Sequence, residues 1–513
     1  MAANALEFRT CPITGKKVFA TTQNLIWINA VTSVVFILVG GLAALLVLLT
    51  RWPAVHLLSP DLFYRILTLH PIAALVAWII FFEVAGLYFG CSVLLNSRLA
   101  APKVAWLAYF LMLVGAAIVA VQILIGNADV MFTSYIPLQA SPLYYLGVIL
   151  FAVGALVACG IFFGTLAIAK AEKTYEGSLP LVTFGLSAAA IIAVFTLASG
   201  AIIYIPTFLW SIGIIKNIDP AMYRLIFWAF GHSSQQINVT AMVSVWYLLA
   251  VLTVGAKPVN EKVCRSAFVL YILFINMASE HHLLTDPTLS PAHKIANTSY
   301  FIYMAALASM IHALAIPMTV EVAQRKKGYT KGIFEWLTKA PWGEPGFPAL
   351  IFSLLIFGFI GGITGIVNGT EQLSIKSHNT WAMTGHFHGT VVGGTTLAFM
   401  GLTYYVIPLI FRREIIGKKW ATAQPYIYAI GLIIFTLSMI ASGTLGVPRR
   451  HWDITFADSI IPFSFDPTAI LFVTLTALGG LLAIIGGAIY VGVAVLSVFF
   501  GRKLAPNEAK LIY

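Results

Sequence analysis

Long apolar runs separated by short polar segments follow one another along almost the whole chain. Twelve runs are long enough to cross a bilayer as helices, near residues 25–50, 65–95, 103–126, 143–169, 180–206, 219–255, 264–284, 296–321, 347–368, 380–411, 424–446 and 465–500. A helix that spans a bilayer needs roughly 20 apolar residues. Because the runs are continuous rather than alternating, they indicate helices and not barrel strands. The pattern therefore predicts an all-α integral membrane protein with twelve transmembrane helices.

One of these runs opens with the stretch Trp381 to Thr390, which contains two histidines, His386 and His388. On an α-helix, residues two apart project about 200° from each other. The two imidazoles can therefore hold two separate metal centres, one on each side of the helix. The alternative is a pair of buried histidines that are satisfied by backbone carbonyls. We favour the metal sites, because ionisable residues inside a membrane are usually functional.

Composition and charge support a membrane protein and argue against a nucleic-acid-binding one. The 513 residues are 60% hydrophobic and 10% charged, with a mean hydropathy of +0.92, whereas soluble domains have about 25% charged residues. The net charge is +11, but 22 of the 30 Lys and Arg fall on one side when the N-terminus and every second loop are assigned to it. This positive-inside pattern predicts a cell-membrane protein with both termini in the cytoplasm.

We therefore expect three regions: a cytoplasmic N-terminal segment (1–24), one twelve-helix domain (25–500) and a cytoplasmic tail (501–513). No cleavable signal peptide is predicted. The four cysteines are scattered without a CxxC pair, which argues against a disulfide framework or a zinc site.

Polar side chains interrupt further apolar runs. His232 is followed by a Ser-Ser-Gln-Gln segment that ends at Gln236, and Glu280 precedes two adjacent histidines. If both termini are cytoplasmic, six histidines lie toward the outer ends of their helices: His70, His232, His281, His282, His386 and His388. Three of them would suit a copper ion, since neutral imidazole is a good copper ligand. The others could give one haem two axial ligands and a second haem one.

Two adjacent arginines, Arg449 and Arg450, lie on the side that has few other charges. They can anchor the loop at lipid headgroups, or they can bind carboxylates such as haem propionates through bidentate hydrogen bonds.

These motifs together resemble subunit I of the haem–copper oxidases, over nearly the whole chain. The resemblance rests on Leu67–His70, Gly231-His232, His281-His282 followed by Thr285-Asp286-Pro287, His378-Asn379-Thr380, Gly385–His388 and Val447–Arg450. The segments Leu179–Phe184 and Ile218-Asp219-Pro220 resemble the B-type branch. The resemblance implies the subunit I fold of twelve helices and a terminal respiratory oxidoreductase.

The resemblance also implies a role for each histidine. It assigns His70 and His388 to a low-spin haem and His386 to a high-spin haem. The copper B ligands would be His232, His281 and His282, and haem propionates would be held by Arg449 and Arg450, with His378 close to them. A B-type proton route would rise between the sixth and eighth helices past Asn238, Thr240, Ser309 and His312.

One position departs from the oxidase pattern. Where the family has a tyrosine four residues after the first copper ligand, this chain has Gln236, which cannot form a radical. The position at which another branch supplies its tyrosine is Ile275, and Tyr271 lies one turn farther away. Family nitric oxide reductases dispense with the tyrosine and use glutamates near the second metal, for which Glu280 is a candidate. The sequence therefore favours NO over O₂ as acceptor and leaves iron possible in place of copper.

Electrons must enter from outside the chain, because it has neither a cysteine pair for a binuclear copper centre nor a CxxCH haem motif. The resemblance implies a subunit II-like partner fed by cytochrome c or a small copper protein. Two other functions fit twelve helices: a secondary transporter or channel, and a haem-binding assembly or sensor protein without turnover. Absence of haem absorption bands would favour the first, and haem binding without gas consumption would favour the second.

Overall fold

The computed structural model describes residues 6–287, 289–456, 459–461, 463–505 and 508. Near its start, strands β1 (Phe8–Thr10) and β2 (Lys17–Phe19) form a short antiparallel hairpin in which Phe8 pairs with Phe19. The rest of the described chain is mostly helical. Part of the predicted C-terminal tail lies outside the described residues.

The first six membrane helices follow the predicted apolar runs. They are α1 (Ala20–Arg51), α2 (Pro60–Val93), α3 (Pro102–Leu124), α4 (Pro142–Ala171), α5 (Leu181–Ser211) and α6 (Pro220–Val254). Helix α2 contains two π-helical turns, Ile72–Ala77 and Phe89–Val93. It begins at Pro60, before the predicted start, so His70 lies about three turns inside the helix rather than at its outer end.

The second half of the chain contains α7, α8 (Pro291–Lys326), α9 (Gly346–Gly369), α10 (Trp381–Leu409), α11 (Lys418–Thr444) and α12 (Pro467–Phe500). Within the described chain, eleven helices have the length and hydropathy of a membrane span. The exception is α7, predicted near 264–284, which consists of an α-helix (Glu261–Leu270), a π-helical turn (Tyr271–Ile275) and a 3₁₀-helix (Ala278–Leu283). The seventh predicted span is thus present as an irregular helix.

Proline and short polar residues set where several helices begin. Helices α4, α6 and α12 have proline in their first turn, where no amide hydrogen is needed. The residue before that proline caps each of them. Asp219 accepts from the backbone amides of Ala221 (2.8 Å) and Met222 (3.0 Å), for example. Such caps satisfy the amides that a helix N-terminus leaves unpaired.

Helices α6 and α10 form the centre of the bundle. In each of them, 83% of the residues in an 18-residue apolar stretch are buried, whereas the corresponding share in α8 is 17%. Close packing brings α10 against α11, where a Cβ atom added at Gly443 would collide with the backbone nitrogen of Ala382. Small residues at such contacts allow backbones to approach in lipid, where apolar burial does not hold helices together. The predicted histidines lie on or beside these two inner helices.

Candidate functional site

Three histidines converge where the 3₁₀-helix of α7 meets α6. One nitrogen atom from each of His232, His281 and His282 lies within 4.8 Å of the other two. His232 Nδ1 and His282 Nε2 are 3.2 Å apart. Ligand nitrogens bound at about 2.0 Å around one metal ion lie roughly 3.3 Å apart, so the three rings fit a shared ion. We call these three residues the histidine triad.

The side chains around the histidine triad fix the orientation of its rings. His281 Nδ1 lies 2.6 Å from the carbonyl oxygen of Ala278, which leaves Nε2 free to bind a metal. The indole of Trp228 stacks on the His282 ring, with the centroids 3.8 Å apart and the planes 7° from parallel. The indole in turn donates to Tyr135 Oη at 2.7 Å. Such contacts hold ligand rings in place and raise metal affinity.

Gln236 lies one turn after His232 on α6, and its Nε2 is 3.3 Å from His232 Nε2. The amide therefore pairs with the ring nitrogen that faces away from His282. Glu280 is adjacent to His281 in sequence, but its carboxylate pairs with Nδ1 of the exposed His293 at 2.9 Å. Glu280 thus contributes to the outer rim of the site, whereas Gln236 contacts a triad ring directly.

The two histidines of α10 face different neighbours. His386 Nδ1 lies 2.9 Å from the carbonyl oxygen of Gly361 and 3.0 Å from Thr364 Oγ1, both on α9. His388 Nδ1 lies 2.8 Å from the carbonyl oxygen of Thr384. The helix changes from α to π geometry at His388, as helices often do at functional sites. In both rings the Nδ1 contact leaves Nε2 free to bind an iron.

His70 and His388 form an opposed pair across α2 and α10. Their ring centroids are 6.2 Å apart and the ring planes differ by 12°. Two imidazoles bound at about 2.0 Å on opposite sides of one metal would place their centroids roughly 6 Å apart. His70 Nδ1 is 3.0 Å from the Gly40 carbonyl oxygen, so its Nε2 is also free. The pair fits the two axial ligands of one haem.

A cavity of about 330 Å³ surrounds this histidine pair, within the size range of cofactor sites. Its lining is mainly apolar, but three arginines reach it: Arg51, Arg449 and Arg450. Among the described residues, neither Arg449 nor Arg450 takes part in an ion pair. Burial lowers the pKa of Arg449 to about 9. Partly buried guanidinium groups of this kind are stabilised by anionic partners, and haem propionates are suitable ones.

Backbone contacts hold the arginine loop against the start of α10. Arg449 N donates to the carbonyl oxygen of Asn379 at 2.7 Å, and Trp381 N donates to that of Val447 at 2.9 Å. His378 lies in the same junction and its Nδ1 is buried without a hydrogen-bond partner. Burial, and then the charge of Arg449, lower the pKa of His378. A neutral His378 beside the arginines fits a position near propionates.

Two side chains that the sequence analysis passed over also belong to this region. Arg51 lines the large cavity, donates to the Pro448 carbonyl oxygen at 2.7 Å and lies 4.6 Å from the ring of Trp381. Trp228 packs on the histidine triad as described above. The position of Trp228, one turn before His232 on the same helix, was a usable signal; Arg51 had none, because its partners are more than 300 residues away.

Comparison with known proteins identifies the family. The chain matches the family described as "Cytochrome C and Quinol oxidase polypeptide I" over residues 24–497. This chain belongs to that family.

Individual relatives agree with the family match. The chain is 28% identical over 456 residues to cytochrome c oxidase subunit 1 of Thermus thermophilus, and the aligned region covers 87% of this chain and 78% of the relative. It is 23% identical over 445 residues to cytochrome c oxidase subunit 1 of Thermostichus vulcanus, covering 82% and 75%. A cryo-EM structure of a heme-copper terminal oxidase dimer matches with a TM-score of 0.89 and 26% identity, covering 97% of this chain and 87% of that one.

These matches confirm the predicted family, the all-α membrane fold and the class of enzyme: the chain is a haem–copper oxidase subunit I and an oxidoreductase. Membership implies haem and copper cofactors and a multi-pass membrane location. The transporter alternative is not favoured. The histidine positions described above fit those cofactors by geometry.

Proposed function

We propose that this chain is the catalytic subunit of a B-type respiratory oxidoreductase that passes electrons from a cytochrome c-type donor to a small gas. We further propose that NO, reduced to N₂O, is favoured over O₂. The observation that supports the choice of gas is the contact between Gln236 and His232 Nε2, at 3.3 Å. This is the position at which the oxidase pattern requires a tyrosine.

In this proposal the histidines bind two haems and one further metal ion through the ring nitrogens that make no backbone contact. His70 and His388 hold the low-spin haem, His386 holds the high-spin haem, and the histidine triad holds the second metal. When bound, these groups supply the electrons and the binding site for the gas. The chain holds the ligand rings in place through the carbonyl contacts to Nδ1, and Arg449 and Arg450 neutralise the propionates.

Electron and proton demand explains the preference for NO. Cleavage of O₂ to water consumes four electrons and four protons, and the family takes one of each from the tyrosine. Two NO molecules form N₂O and water with only two electrons and two protons. Gln236 can orient His232 but cannot be oxidised, so the site retains the metals and lacks the local donor. The chemistry that remains suits the two-electron reaction.

The second metal is proposed to be copper, with iron as the alternative. Three imidazoles without a carboxylate suit copper, and the carboxylate of Glu280 pairs with His293 rather than with a triad ring. We retain Glu280 as a candidate proton donor on the outer side, because it directly precedes His281 in the chain.

Protons are proposed to arrive between α6 and α8. Tyr247 Oη lies 3.0 Å from His312 Nδ1, and Tyr271 Oη lies 2.9 Å from Ser309 Oγ. The two pairs are neighbours, since the ring centroids of Tyr271 and His312 are 5.5 Å apart. We propose that together they form a polar line in the cytoplasmic half of the bundle. Asn238, expected on the same line, instead faces α2.

Electrons are proposed to enter from a subunit II-like partner on the side of the membrane opposite the chain termini. The donor to that partner would be cytochrome c or a small copper protein. In this orientation both termini are cytoplasmic, as the distribution of Lys and Arg predicts.

A gas-consumption assay tests the proposal. The purified protein is given a reduced donor with NO or O₂, and the variant Gln236→Tyr is compared with the wild type. We expect NO turnover in the wild type and an increase in O₂ turnover in the variant. Rapid complete reduction of O₂ by the wild type would refute the preference for NO, and absence of haem absorption would refute the redox function itself.

A further inference from the structure

A second cavity lies between helices α2, α4, α5 and α6, and it contains a buried carboxyl group that the proposed function does not use. Its volume is about 110 Å³, well above the roughly 15 Å³ that one water molecule requires. The lining is mainly apolar and contains neither lysine nor arginine. Glu83 and Cys159 are the titratable side chains in that lining, and Glu83 is only 6% exposed.

A single amide is placed to pair with this carboxyl group. The side-chain amide of Asn238, itself 2% exposed, has one end 3.1 Å from Glu83 Oε1 and 3.2 Å from the carbonyl oxygen of Ser234. Because both neighbours are oxygens, we assign the amide nitrogen to that end. Both of these oxygens accept hydrogen bonds when Glu83 is ionised. When Glu83 is protonated on Oε2, its Oε1 remains a carbonyl oxygen and still accepts from the amide, which keeps its bond to Ser234. The pair can therefore accommodate Glu83 in both protonation states.

The amide also connects Glu83 with the helix that bears the first triad ligand. Asn238 and Ser234 both lie on α6 and line the second cavity. The Ser234 hydroxyl donates to the carbonyl oxygen of Gly231, the residue before His232, at 2.9 Å. Leu75 and Phe132 line both this cavity and the larger one around His70. The second cavity thus adjoins the redox site while remaining separate from the polar line between α6 and α8.

We propose that Glu83 is an internal proton store, which exchanges one proton at a time with the triad side of α6 through water in the second cavity, while Asn238 holds its carboxyl group by a hydrogen bond. In the step itself the Glu83 O–H bond breaks and the proton passes to a water molecule in the cavity, leaving a carboxylate paired with the Asn238 amide. A proton from the aqueous phase then restores the acid. The proton released contributes to the two that the reduction of two NO molecules consumes. This inference rests on the proposed function.

An isolated carboxylate is costly in such surroundings, because burial without a cation removes its solvation and gives no ion pair in return. The neutral acid is therefore the resting form, and the ionised form is held only while the amide donates to it. This difference in stability between the neutral and the ionised carboxyl group is what a proton store requires. The carboxylate takes up a proton readily, and the acid releases it only when the charge nearby changes. Cys159, on α4, faces the same cavity and is uncharged as a thiol.

Redox-induced infrared difference spectroscopy tests the proposal directly, since a protonated carboxyl group has its own C=O stretching band. We expect a band on reduction of the wild type that Glu83→Gln removes and that Glu83→Asp retains. Asn238→Leu should shift the band, because it removes the hydrogen-bond partner. The matched control is Glu344→Gln. It removes a second carboxylate, which is less buried and accepts from Tyr405 Oη at 3.1 Å, and it should leave the band in place.

Turnover measured on the same preparations completes the test. Glu83→Gln should lower gas reduction by about 100-fold, the lower range for loss of a group that transfers protons, with unchanged haem absorption as the check of folding. Glu83→Asp should restore most of the rate. A band that survives in Glu83→Gln, or turnover within about twofold of wild type in that variant, overturns the proposal. If the wild type itself lacks haem bands or gas turnover, the proposed function fails instead.

Discussion

Replacement of Gln236 by leucine tests how far a neighbouring side chain supports the histidine triad. Leucine fills a similar volume on α6 and removes the amide that lies 3.3 Å from His232 Nε2. His232 would keep its contact with His282 but lose the partner that fixes its ring plane. We therefore expect a weaker hold on the second metal, with both haems retained.

The size of the effect follows from the geometry. A distance of 3.3 Å exceeds the usual length of about 2.9–3.0 Å, so this hydrogen bond belongs to the lower half of the usual net range of about 0.5–1.5 kcal/mol. Energies of about 0.5–1 kcal/mol correspond to roughly a two- to fivefold change in affinity. Loss of a residue that orients a metal ligand typically costs about 10- to 100-fold. The two estimates together predict a weakening of about 5- to 10-fold.

The assay is metal retention: purified protein is equilibrated with chelators of graded affinity, and bound copper and iron are then measured. The matched control is Gln122→Leu, the same change at a buried glutamine that accepts from Asn127 Nδ2 at 3.2 Å, far along the chain from the triad. We expect that control to match the wild type. Equal retention in Gln236→Leu and wild type would refute the argument that the amide supports His232.

Two further changes have clear expected outcomes. His70→Ala removes one half of the opposed pair with His388, so the haem content should fall by about half while the metal of the histidine triad is retained. The control is His312→Ala, which changes a buried histidine outside the large cavity and should keep both haems. An unchanged haem content in His70→Ala would contradict the assignment. Gly443→Ala places a Cβ against the backbone of α10 and should cost about 1–3 kcal/mol of stability, seen as a lower unfolding temperature in detergent. Gly160→Ala on α4, where nothing lies within 4 Å of the added atom, is the control, and equal unfolding temperatures for the two variants would be inconsistent with the close approach.

The sequence was sufficient for the membrane class, the approximate spans and the family. These depend on local properties: twelve apolar runs, a bias of Lys and Arg to one side, and histidines in fixed short motifs. The prediction that His386 and His388 serve different centres also needed only the helical repeat. The structure places His386 against α9 and His388 opposite His70, because residues two apart on a helix point in nearly opposite directions whatever surrounds them.

Contacts between distant segments required the tertiary structure. Spacing along the chain could not reveal that α7 ends in a 3₁₀-helix, since local helix geometry there depends on packing against α6. It likewise could not reveal that Arg51 reaches Pro448, or that Asn238 faces Glu83 on α2 rather than α8. A side chain inside a bundle pairs with whatever group the neighbouring helix presents at the same depth. The sequence alone was enough to predict which residues bind metals and haem, because those residues lie in short motifs. The fold decided which neighbours hold them in place and which buried acid lies beside them, because those contacts join distant segments.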